Sequence, residues 1–132
     1  MSTTRFYRMV MSMAGNGDRN LAKRATAAVF HALRDRLTPE EADQLAAQLP
    51  RELRQVWDQG AREGRVPTKL HLPEFLERVK DRAGLPSAKE ARWMTLAVFA
   101  ALKEHVSPGE TADVWSQLPK DLKELWAEAR AA

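Results

Sequence analysis

Shifted by 69 residues, this chain of 132 aligns with itself: 5–57 falls on 74–126 without a gap. Eighteen of the 53 pairs are identical, where ordinary composition gives roughly three by chance. The matches come in blocks. Phe6, Val10, Ala14 and Gly15 meet Phe75, Val79, Ala83 and Gly84, and Ala28-Val-Phe30 meets Ala97-Val-Phe99. Gln48-Leu-Pro50 meets Gln117-Leu-Pro119, and Trp57 meets Trp126. A chain repeated in this way is expected to fold as a tandem duplication of one small unit, with both copies sharing a core.

Each unit reads as helical throughout. Phe75, Leu76, Val79 and Ala83 recur at helical spacing, and Gly84 offers a left-handed stop. Ser87-Ala-Lys-Glu90 has the form of a capping box, and Asp18 holds the corresponding N-cap place. The second helix, 19–36 and 88–105, is apolar on nearly all sides and should be central. Thr38-Pro-Glu-Glu41 and Ser107-Pro-Gly-Glu110 open a third helix with proline at its first position. Pro50 and Pro119 end it, and a short fourth helix, 51–58 or 120–130, carries the tryptophan. No window alternates with period two. The expected fold is all-α: a duplicated four-helix unit, packed as one compact helical domain, with the first repeat at 1–58, a linker at 59–73 and the second repeat at 74–132.

Composition excludes several classes. There is no cysteine, so disulfides and thiolate metal sites are out and a reducing cytoplasm fits. No apolar run approaches the roughly 20 residues that cross a bilayer. Twenty-one basic against eighteen acidic residues leave +3, too little alone to imply nucleic acid. The linker has three basic residues, Arg62, Arg65 and Lys69, against Glu63 alone.

The repeated string Ala-Val-Phe-x-Ala-Leu-[Arg/Lys]-[Asp/Glu], then [Thr/Ser]-Pro-x-Glu and Gln-Leu-Pro, resembles the uncharacterised bacterial family catalogued as domain of unknown function 2267. Pro67-Thr-Lys69 leading into Glu74-Phe-Leu-Glu-Arg-Val79 has the same resemblance. It implies an all-helical bacterial protein with tandem units. It implies no activity, since the family has no established catalytic residues to carry over. The methionine-rich first helix, Phe6–Met13, departs from the family's acidic–basic pattern.

No catalytic constellation emerges. Glu41 and Glu110 recur, but they stand three residues after Thr38 and Ser107, where a capping box already explains them. His31, His71 and His105 lie in different segments without metal-ligand spacing, and none recurs. Gly15-Asn-Gly17 lacks the lysine and preceding strand of a phosphate loop. Gln48 and Gln117 precede proline, where an amide can bond a carbonyl freed by the helix break. The expectation is no catalytic residue, no cofactor and no metal.

The non-recurring residues carry the functional expectation. Met9, Met11 and Met13 stand where the second unit has Arg78, Lys80 and Arg82, so these flanks should face outward and suit a partner or a second copy of the chain. Trp93 and Trp115 face Arg24 and Ala46, and pack either between units or against something else. A non-catalytic interaction or adaptor module, with a protein partner or homodimer meeting Met9, Met11, Met13 and Trp115, fits these features best. The alternative is weak nucleic-acid binding through Arg5, Arg8, Arg62, Arg65 and Lys69, which is not favoured.

Overall fold

The computed structural model describes residues 2–130. Among them the chain forms eight α-helices and no strand: α1 (Thr3–Ala14), α2 (Arg19–Arg36), α3 (Pro39–Ala47), α4 (Arg51–Asp58), α5 (Leu72–Ala83), α6 (Ala88–His105), α7 (Pro108–Ser116) and α8 (Lys120–Glu128). Every helix start and all but the last helix end recur 69 residues later. Among the described residues no helix is long and apolar enough to cross a membrane.

The boundaries follow from local chemistry. Ser2, Asp18, Thr38, Ser87 and Ser107 each accept a backbone N–H from the first turn of the helix they open, satisfying a donor that the helix leaves unpaired. Gly15 and Gly84 end α1 and α5 at φ +64° and +68°, a conformation that costs glycine little. Pro50 and Pro119 hold the N-cap places of α4 and α8.

The two central helices are α2 and α6, each with nine buried residues. Packing then exchanges between halves. The most extensive contact of α1 is with α6, and that of α5 is with α2. Neither half closes its core alone. Phe6, Phe30 and Trp57 form an edge-to-face series, and Phe75, Phe99 and Trp126 form its counterpart. All six rings are fully buried, and each contributes roughly 1.5–3 kcal/mol or more of transfer free energy.

One end of the molecule is closed by α3 against α7. Here the reading of the glutamines is corrected. Gln117 Oε1 accepts the N–H of Thr38 at 2.9 Å, and Gln48 Oε1 accepts that of Ser107 at 2.7 Å. Each amide also donates to the same residue's hydroxyl, at 3.2 and 3.3 Å. The Gln-Leu-Pro glutamines thus bond the helix starts of the opposite half rather than a freed carbonyl of their own.

Candidate functional site

Those glutamines displace the expected partner of Glu41 and Glu110. Thr38 and Ser107 do accept the N–H of Glu41 and Glu110. The return bond of a capping box needs the Thr38 and Ser107 N–H groups, which Gln117 and Gln48 already hold. Both carboxyl groups therefore turn inward, where Glu41 is 8% and Glu110 5% exposed. They meet each other, with exposed Asp113 beside them and one oxygen of each residue within 4.8 Å of the others. Burial, a hydrogen bond to Glu41 and the negative charges of Glu41 and Asp113 push the Glu110 carboxyl up to about 8. The raised Glu110 carboxyl thus faces Glu41 across the α3–α7 contact. Sequence reasoning missed this, because the capping motif accounted for both residues within their own helix. Neither glutamate lines the cleft described next or the two smaller hollows.

A large opening lies beneath the 59–68 segment, between the second half of α2 and the last two turns of α5, and measures about 770 Å³. The segment is strapped down. Arg34 reaches from α2 to the carbonyls of Trp57 and Gln59 at 2.7 and 2.6 Å, and Arg65 donates to Leu37 at 2.8 Å. Thr68 donates its N–H to the Asp35 carbonyl at 2.7 Å, and Leu70 is buried. Arg34 is 5% exposed and also holds Asp35 at 3.0 Å. His31 donates Nε2–H to the Val56 carbonyl at 2.7 Å. Its burial lowers its pKa, with Arg34 and Arg82 adding to the effect and the Val56 hydrogen bond opposing it.

Five arginines line this cleft: Arg34, Arg62, Arg65, Arg78 and Arg82, against Asp35 and Glu63. Removing these seven from the chain's 21 basic and 18 acidic residues leaves 16 of each. The net charge of +3 is that of the cleft. Arg62 and Arg65 are thus brought together with Arg34, Arg78 and Arg82, which the sequence did not group with them. Lys69 is exposed but does not line the cleft. Arg5 and Arg8 lie exposed on α1, and Arg5 is near enough to His105 to help lower its pKa, behind the larger effect of burial. Of the five basic positions proposed together, Arg62 and Arg65 alone line this cleft.

At the positions corresponding to Arg78 and Arg82 stand Met9 and Met13. With Met11 they are half-buried against the protein's own core, because α1 lies across α6. The expectation of outward-facing flanks is corrected to that extent. Met13 lines a hollow of about 180 Å³ with Trp93 and Leu96. Trp93 is 55% exposed, and its indole reaches from α6 to the end of α1, so it bridges the halves. Trp115 is 43% exposed and lies under Lys123 Nζ, 4.4 Å from its ring centre. That contact lies within its own half.

A family model, that of an uncharacterized conserved protein designated DUF2267, matches residues 3–125. The chain belongs to that family. The match spans all eight helices but the last residues of α8, so the arginine cleft and the glutamate pair both sit within the family domain. No curated protein matches the chain.

Proposed function

We propose that the two halves are copies of one four-helix unit, with limits at 1–58 and 74–132 around the 59–73 linker, and that the protein is a non-catalytic helical adaptor with unlike faces. The contrast at corresponding positions carries this reading. Met9 and Met13 answer to Arg78 and Arg82, Arg24 to Trp93, and Ala46 to Trp115, while the buried rings are kept. Apart from buried Ala46, these divergent side chains remain at least partly accessible, where a partner could be met. Met9, Met11 and Met13 on α1 are the proposed protein contact, taken by a partner or a second copy of the chain, with Trp115 a further exposed contact. A chain without cysteine suits the cytoplasm.

The test is affinity capture from the native cell with nuclease present, using the chain and a Met9→Arg/Met13→Arg variant. The expected result is a protein partner lost by the variant alone. Identical recoveries, with both proteins monomeric by light scattering, would sink the reading.

A nucleic-acid role is the second reading, supported by Arg62 and Arg65 gathering with three further arginines. It requires an affinity that falls steeply with salt, with a shallower slope after Arg62, Arg65 and Lys69 are replaced. No shift with single or double strands at low salt would remove it.

A further inference from the structure

We infer that the cleft between α2, α5 and the 59–68 segment is a binding site for a compact anion carrying two or more phosphate groups. The inference is independent of the adaptor reading, and four observations lead to it.

The arginines exceed what the fold uses. Arg34 and Arg65 spend donors on the carbonyls of Trp57, Gln59 and Leu37, which strap the segment down. Among the described residues, Arg62 and Arg82 donate to no protein acceptor, and Arg78 reaches Asp35 only at 3.5 Å. Three guanidinium groups are left facing a cavity with most of their donors uncommitted.

The scaffold supplies its own control. Arg78 and Arg82 correspond to Met9 and Met13, which occupy the same turns of α1 against α6. An apolar side chain therefore satisfies these helix positions, and helix packing does not call for arginine there.

The charge is concentrated rather than spread. The whole net charge of the chain gathers in one cleft, where partial enclosure strengthens attraction for an anion. Guanidinium groups match phosphate oxygens two at a time, which an ammonium does not.

The shape limits the ligand. A volume of about 770 Å³ lies in the range of small-molecule sites. No aromatic ring other than the His31 imidazole lines it, and Arg5 and Arg8 stand outside it, so neither base stacking nor an extended basic track is provided. The site reads phosphate, not sequence. The same chemistry is offered by a free polyphosphate and by the phosphate tail of a nucleotide.

Calorimetric titration of the full chain with tripolyphosphate at about 0.15 M salt separates the outcomes. A dissociation constant below about 0.1 mM is expected, weakened about tenfold or more by Arg78→Met/Arg82→Met. An Arg5→Ala/Arg8→Ala variant, which removes the same charge elsewhere, should bind as the parent does. Should the methionine variant fail to fold by circular dichroism, Arg62→Ala on the exposed segment serves in its place. ATP binding equally supports recognition of the phosphate chain alone, and tighter ATP binding supports a nucleotide source. Three results would overturn the site: no heat at about 1 mM ligand, equal weakening by both double variants, or equal affinity for citrate. Displacement of tripolyphosphate by an oligothymidylate at much lower phosphate concentration would overturn the compact ligand in favour of nucleic acid.

Discussion

The indole N–H of Trp93 donates to the carbonyl of Ala14, the last residue of α1, at 2.8 Å. Sixty-nine residues earlier, Arg24 Nε donates to the carbonyl of Ala83, the last residue of α5, at 3.1 Å. Two chemically unlike side chains thus satisfy the same orphan carbonyl at corresponding helix ends, each across the boundary between halves. Trp93→Phe should keep the ring contact and lose the bond, costing about 1 kcal/mol in denaturant unfolding. Trp93→Arg should recover much of that loss. Equal destabilisation by both replacements would show that the indole acts through its area alone.

Glu110 makes stability depend on pH. Its carboxyl is held near 8 in the folded protein against 4.5 for the unconstrained group. A raised acid pKa means that the folded state binds the extra proton, so the stabilising contribution is complete below about 4.5 and is lost as pH rises through about 8. Stability should therefore fall between pH 5 and pH 9, on the order of 4 kcal/mol at 25 °C, and the unfolding midpoint with it. Glu110→Gln keeps the hydrogen-bonding shape without the charge and should flatten that dependence. Parallel pH profiles for the two proteins would show that Glu110 is not the group responsible.

The crossed glutamines couple helix starts between halves. Thr38→Ala removes both the N-cap acceptor of α3 and the hydroxyl that Gln117 contacts, and should cost about 0.5–2 kcal/mol. In a Gln117→Ala background the same change should cost less, because one of the two interactions is already gone. Strict additivity in a double-mutant cycle would mean that the cross-contact contributes nothing to the cap.

Arg34 and Lys103 repeat a strap. Lys103 Nζ bonds the Trp126 and Ala129 carbonyls at 2.8 Å each, as Arg34 bonds those of Trp57 and Gln59. Arg34→Met should leave those two carbonyls without their buried donor and cost about 1–3 kcal/mol. Amide exchange should accelerate along 59–68 while α6 keeps its protection. Unchanged exchange in that segment would show that Arg65 and Thr68 suffice to hold it.

Helix positions and core rings were legible in the sequence because both are local. Proline, glycine and cap residues act within a turn, and the apolar stripes of α2 and α6 declare their burial without reference to a partner. The 69-residue recurrence even set the helix starts of one half from those of the other. What tertiary structure decided was which halves' groups meet. Glu41 and Gln48 each had a sufficient explanation inside their own helix, and only the approach of α3 to α7 gave Thr38 to Gln117 and left two glutamates facing each other. Arg62 and Arg65 were visible as a basic linker, but Arg78 and Arg82 looked like the polar face of an amphipathic helix. They became one electropositive cleft because α5 lies on α2 rather than on its own neighbour alone. Charge adds over distance in space, and a linear sequence holds no record of that distance.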